Sequence, residues 1–233
     1  MARPVCMITG VGPGTGTALV RRFVEGGYSV AMLARTVERL DELAVELDST
    51  VPCGCDVSDE AAVPAVFDRI KTELGAPTVV VHNAVGAERG TYMDIDPDGL
   101  RRAFEINTMA LLHIARLATP GMIAAGGGAI ICTGNTSAYR GKPAFAGFAP
   151  SKAAQRILLE SIAREAGPKG IHAAYVAIDA VIDLPWTRAF FKDKSDEFFC
   201  KPADIADEVY RIAHQARSAW SSESVIRPFG ENW

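Results

Sequence analysis

No block of basic residues occurs anywhere in this 233-residue chain, and the formal net charge is −4. Nucleic acids and anionic membrane surfaces are held by clustered positive charge, so neither is expected as a main partner. Long apolar runs are missing too. None approaches the roughly twenty residues that a membrane-spanning helix needs. The first strand-like run, Val5-Cys6-Met7-Ile8, begins close to Met1 and leaves no room for a secretory leader. Cysteines are few, odd in number and scattered: five in all, with only Cys53 and Cys55 close together. Their alternation suits positions in or beside a strand better than a metal clip, so neither a disulfide framework nor a metal is expected. Reduced thiols and a cytoplasmic location follow as expectations. Aromatic residues make up only 8% of the chain, yet hydrophobic residues reach 48% and charged residues 22%, enough to bury a sizeable core and to exclude wholesale disorder.

What the chain does have is a glycine-rich stretch, Thr9-Gly10-Val11-Gly12-Pro13-Gly14-Thr15-Gly16, placed between that first apolar run and a helix-like pattern of Ala18, Leu19, Val20, Phe23 and Val24. A strand, a tight glycine turn and a helix start are the parts of a dinucleotide-binding unit, in which a pyrophosphate lies against backbone N–H groups at the positive end of a helix. A side chain at Gly10, Gly14 or Gly16 would hold the backbone away. The spacing is TGxxxGxG, and taken alone it also fits an ordinary strand-to-helix turn.

Short apolar strands then alternate with amphipathic helices. Gly26-Gly27 reads as the end of the first helix, and Tyr28–Leu33 as the second strand, followed by Ala34-Arg35. Val51–Cys55 is a third strand leading into Asp56-Val57, with Ser58 expected to cap the next helix. Thr78–Val81 is a fourth strand. Asp96-Pro97 opens a helix expected to run unbroken to about Thr119; Ala129–Cys132 and Ile171–Val176 are further strands, and a helix ending near Glu165 lies between them. The stretch 183–199 has no clear period and is expected to be a lid; Pro202 starts a last helix, and Val225-Ile226 a last strand. Uniformly apolar strands alternating with helices predict a single α/β domain with a parallel sheet covered on both faces.

The order of these motifs resembles the short-chain dehydrogenase/reductase family over nearly the whole chain. The glycine segment matches, as do Asp56-Val57, Asn83-Ala84, Asn107, Lys152 and Gly167-Pro168-Lys169-Gly170-Ile171. The resemblance implies a doubly wound Rossmann fold of seven parallel strands in the order 3-2-1-4-5-6-7. It also implies nicotinamide dinucleotide binding by Gly10, Gly14, Thr15, Gly16, Arg35, Asp56, Val57, Asn83 and Lys152, and a homodimer or homotetramer built on the helices near Asn107 and Lys152. NAD enzymes place a carboxylate after the second strand; here Ala34-Arg35 stands there. A guanidinium can grip a 2′-phosphate where a carboxylate would repel it, so NADP(H) is expected over NAD(H). A solvated strand-end arginine is the alternative.

The sequence also departs from that family. The catalytic tyrosine belongs four residues before the lysine, where this chain has Phe148; the serine belongs thirteen residues earlier still, where it has Asn135. Ile178-Asp179 replaces the usual Pro-Gly, and His82 and Val85 alter the Asn-Asn-Ala-Gly segment. Phenylalanine at that position resembles a divergent subgroup of the family. Lys152, Asn107 and Asn135 are then the candidate catalytic residues, with Phe148 in the tyrosine's place. Tyr139, Asp179, Asp183 and Lys152 itself are candidate proton donors, each with a plain structural alternative. Two functions stay open: an oxidoreductase acting on a carbonyl or alcohol, or an NADP(H)-binding sensor or regulatory protein without turnover.

Overall fold

The computed structural model describes residues 2–230. Seven strands form its central sheet: β1 (Val5–Thr9), β2 (Ser29–Ala34), β3 (Thr50–Gly54), β4 (Val79–His82), β5 (Gly128–Gly134), β6 (Ile171–Ile178) and β9 (Glu223–Ile226). All pairings are parallel and the order is β3-β2-β1-β4-β5-β6-β9. This is the expected doubly wound order. The edge strand is the ninth in chain order because β7 (Val181–Ile182) and β8 (Phe199–Cys200) pair with each other outside the main sheet.

The strands are buried on both faces, which is why their sequences lack a polar alternation. Along β1, Val5 and Met7 enter one core while Cys6 and Ile8 enter the other, and in β2 Ala31 and Leu33 part from Val30 and Met32 in the same way. One face is covered by α3 (Ala62–Glu73), α5 (Ala110–Ala124) and α6 (Ala149–Ala166), the other by α1 (Thr15–Glu25), α2 (Val37–Glu46) and α8 (Pro202–Ala213). Cys53 and Cys55, two residues apart, both fall into the first core as alternate residues should. The strand order reverses between β1 and β4. In such sheets the crevice outside the carboxyl ends of the strands opens at that reversal.

Two local expectations are corrected. Ser58 does not cap α3; its hydroxyl turns back to Asp56 Oδ1 at 2.6 Å, and the Asp59 carboxylate accepts from the N–H groups of Ala61 (2.9 Å) and Ala62 (3.3 Å) instead. The long helix after Asp96 starts as expected, with the Asp96 side chain accepting from Asp98 N at 3.0 Å and Pro97 at the first helical position. It is broken, however, into α4 (Pro97–Phe104), a π turn (Glu105–Met109) and α5. The stretch 183–199 contains a short helix, α7 (Pro185–Phe190), and a 3-10 turn (Asp196–Phe198). Among the described residues no helix is long and apolar enough to cross a membrane.

Candidate cofactor cleft and active site

The glycine turn is fixed by its neighbours. Gly10 has φ +68°, and a Cβ there would lie 2.5 Å from the Ala84 Cα; a Cβ on Gly16 would lie 2.6 Å from the Gly10 carbonyl oxygen. Gly14, at φ +106°, is the N-cap of α1, and the Leu184 methyl rests where its Cβ would be, 2.4 Å away. These glycines therefore let the turn close against β4, α1 and the 181–184 segment. At Gly10 and Gly16 a side chain would also collide with the protein's own backbone, whereas at Gly14 it would meet only the movable end of Leu184. Gly12 differs, since nothing stands within 4 Å of its would-be Cβ.

A cleft of about 380 Å³ opens over this turn at the strand-order reversal, running from Arg35, Thr36 and Arg39 past Asp56 and Val57 to Asn83, Ile106, Ile182 and Leu184. Two features fit a dinucleotide phosphate. Helix α1 begins with no side-chain cap, and Thr15 Oγ1, in its first turn, is buried without a hydrogen-bond partner among the described residues. An open helix N-terminus with an unpartnered hydroxyl is suited to anionic oxygen.

At the far end Arg35 and Arg39 are both exposed and both line the cleft. Arg39 was not foreseen; its place four residues after Arg35, one turn into α2, is the signal that could have found it. Asp56 is half-buried and engaged at the same time. Ser58 donates to it through its hydroxyl and its N–H (3.1 Å), and Arg102 lies 3.4 Å from its other oxygen. The Ser58 hydrogen bonds, with Arg102 and Arg35 nearby, hold its carboxyl below the usual range. Its turn role and its place in the cleft coexist. Asn83 lines the cleft, but its amide is spent inside the protein: Nδ2 donates to the Gly10 carbonyl at 2.9 Å, and Oδ1 accepts from Thr133 at 2.8 Å. It ties the glycine turn to β5.

The candidate catalytic residues lie deeper, behind the walls of the cleft. Asn107, fully buried in the π turn, donates from Nδ2 to the Gly86 carbonyl and to Ser151 Oγ (both 2.8 Å) and accepts from Gly86 N at 3.0 Å. Asn135 accepts from the N–H and hydroxyl of Ser137, at 2.9 and 2.7 Å, and donates to the Ile178 carbonyl at 3.0 Å. Thr136 also donates to the Asp179 carboxylate. The two departures, asparagine for serine and Ile-Asp for Pro-Gly, are thus bonded to one another's segments. Both Asn107 amide hydrogens are committed inside the protein, whereas Asn135 Nδ2 uses one of its two for Ile178 and keeps the other for a ligand.

Lys152 is 2% exposed. Its Nζ donates to Gln155 Oε1 at 2.9 Å and to the Thr133 carbonyl at 3.5 Å, and burial lowers its pKa to about 8. Phe148 caps α6, and its ring centre lies 5.9 Å from that Nζ. His82 replaces an asparagine without becoming ionisable near neutrality: Thr9 and the Ile106 carbonyl satisfy both ring nitrogens at 3.0 Å, and burial pulls its pKa to about 4.

Two candidate proton donors are removed by the geometry. Tyr139 donates to Glu223 Oε2 at 2.9 Å on the β9 side, with Arg156 over its ring, and burial with that carboxylate raises its pKa. Asp183 is gripped by Arg188 at 2.6 and 2.8 Å, which lowers its carboxyl pKa, so it is an anion and not an acid. Asp179 accepts from Thr136. It and Lys152 remain as donor candidates.

Crevice, glycine turn and buried lysine together define a nucleotide-binding α/β protein of the Rossmann type. Comparison with known proteins narrows the class. The short chain dehydrogenase family model matches residues 4–194, and the chain belongs to that family. It is 29% identical over 192 residues to a 3alpha-hydroxysteroid dehydrogenase of Mediterraneibacter gnavus, covering 78% of this chain and 77% of that one. A 7alpha-hydroxysteroid dehydrogenase of Escherichia coli K12 is 28% identical over 180 residues, covering 76% and 70%. Among solved structures, a metagenomic short-chain oxidoreductase in complex with NADP superposes with a TM-score of 0.85 at 26% identity, covering 99% of each chain.

Proposed function

We propose that this short-chain-type oxidoreductase binds NADP(H) in preference to NAD(H) and interconverts a carbonyl and an alcohol with modified acid–base chemistry. The observation that carries the cofactor assignment is the pair Arg35 and Arg39 on one wall of the cleft whose other end is the uncapped α1 terminus. Two guanidiniums and no carboxylate after β2 favour a 2′-phosphate. Thr15 and the Gly14–Gly16 backbone would hold the pyrophosphate, and Asp56 and Val57 the adenine. Lys152 would face the nicotinamide ribose. The nicotinamide, when bound, supplies or accepts the hydride.

With phenylalanine in the tyrosine's place, the subgroup assignment rests on Phe148 and on the closing Ser218-Ala219-Trp220 and Arg227-Pro228 pattern. The proton then moves through Lys152, the buried ammonium whose pKa of about 8 suits transfer near neutrality. The hydroxysteroid relatives favour an apolar substrate, and the exposed Trp186 and Phe190 of α7 offer apolar surface. We include in this reading the lid role of 183–199 and a homodimer or homotetramer.

The test is NADPH oxidation and NADP⁺ reduction by purified protein over a panel of ketones, aldehydes and secondary alcohols that includes steroids. Turnover with NADP(H), abolished in Lys152→Met, is expected. A second reading, nucleotide binding without turnover, is favoured by Phe148 in the tyrosine's place and by the internal commitment of both Asn107 amide hydrogens. Silence across the panel, despite tight NADP⁺ binding, selects it.

A further inference from the structure

Behind the cleft, His82, Asn107, Ser151, Lys152 and Gln155 form a cluster in which no residue is more than 2% exposed. Gln155 sits at its centre. One helical turn after Lys152 on α6, it accepts from the ammonium at Oε1 (2.9 Å) and donates from Nε2 to the Asn107 main-chain carbonyl at 2.7 Å. The amide cannot face the other way. A carbonyl only accepts and an ammonium only donates, so the NH₂ must meet Asn107 and the oxygen must meet Lys152. Without Gln155, the one hydrogen bond left to Lys152 Nζ among the described residues would be the 3.5 Å contact to Thr133.

We propose that Gln155 is a positioning residue for Lys152, its amide spanning the ammonium and the carbonyl of the π turn so that the break in the long helix sets where the lysine's charge lies. A core glutamine placed for packing alone is the plain alternative. It does not explain why both ends of the amide meet groups of the candidate site. The groups facing Lys152 from neighbouring elements add no compensating charge. His82 on β4 is neutral, with its pKa pulled to about 4, and burial pushes the Cys132 thiol on β5 up to about 12. No carboxylate pairs with this ammonium among the described residues. A neutral amide therefore holds the charge in place without forming an ion pair.

The inference deepens the proposed role of Lys152 toward the nucleotide, and its test separates the two. The Lys152 side chain is titrated by its ¹³Cε NMR signal in the full chain without nucleotide, in the wild type, Gln155→Met and Gln155→Glu. The wild-type midpoint is expected near 8. Methionine removes the acceptor and should lower the midpoint by about one unit or more, whereas the isosteric carboxylate should raise it by about as much. Packing alone predicts that the methionine variant loses stability with its midpoint unmoved, and a methionine midpoint coincident with the wild type overturns the proposal; the carboxylate variant confirms that position 155 faces the ammonium.

Should a variant fail to fold, the wild type decides. The Gln155 side-chain amide protons should exchange with solvent far more slowly than those of exposed glutamines, and exchange at the exposed rate overturns the proposal. A parallel titration of NADP⁺ affinity against pH should show a step that follows the lysine midpoint in each variant. Absence of NADP⁺ binding, with the lysine midpoints still displaced, counts against the cofactor reading and leaves the Gln155 assignment standing.

Discussion

Phe148 has no ionisable hydrogen, and the buried Lys152 ammonium stands 5.9 Å from its ring centre. That pair sets the chemistry expected here. Phe148→Tyr would place a phenol beside an ammonium, and a positioned acid–base group is worth about 10² to 10⁴ in rate. A gain of that order in NADP(H) turnover shows a pocket otherwise competent; no gain shows that the bonded Asn135–Ile178 and Thr136–Asp179 contacts have reshaped it.

Lys152 also gives a stability signature. Its folded pKa of about 8 lies below the ordinary 10.5. Between those values the unfolded chain holds the extra proton, so stability should rise with pH across that window, while below 8 the burial penalty is present in full. Urea unfolding of wild type and Lys152→Met checks this: the stability of the wild type relative to the variant should climb between pH 8 and 10.5. A flat difference contradicts it. At this scale the sequence revealed residue types and not their commitments. Lys152 and Phe148 could be placed by spacing, but that Tyr139 is bound by Glu223 depends on a contact 84 residues away, and that Asp183 is bound by Arg188 depends on the turn into α7.

The glycine turn is the element on which the cleft depends, and its glycines are unequal. Gly10→Ala puts a Cβ 2.5 Å from the Ala84 backbone at φ +68°. Strain and overpacking together should cost about 3 kcal/mol or more. Gly12→Ala meets no atom within 4 Å and should leave the thermal midpoint near the wild-type value. Thermal melts of both variants decide, and equal losses contradict the turn's assigned geometry. The turn itself was legible because a strand, glycines and a helix pattern stand in immediate succession. The π turn was not. The apolar period runs through Phe104, Ile106, Leu111 and Ile114, and the one-residue adjustment is fixed by tertiary bonds from Asn107 and Thr108 to Ser151 and from Gln155 to Asn107. Ser58 is the expected cap, and Asp59 takes that place because Asp56 holds the Ser58 hydroxyl.

For the whole molecule, seven parallel strands with helices on both faces follow from uniformly apolar strands alternating with amphipathic helices, and the reversal between β1 and β4 puts the cleft where the glycine turn, Arg35 and Asp56 converge. The alternation was readable residue by residue. The strand order came from the resemblance, and the β7–β8 pair was invisible in two-residue strands.

The measurement that bears most directly on this account is calorimetric titration of NADP⁺ and NAD⁺ into the wild type and the Arg35→Ala/Arg39→Ala double variant. One NADP⁺ per chain is expected, bound about tenfold or more tighter than NAD⁺. That advantage should vanish in the double variant, whose NAD⁺ affinity should be nearly unchanged. Failure of both nucleotides to bind, or tighter binding of NAD⁺ by the wild type, would contradict it.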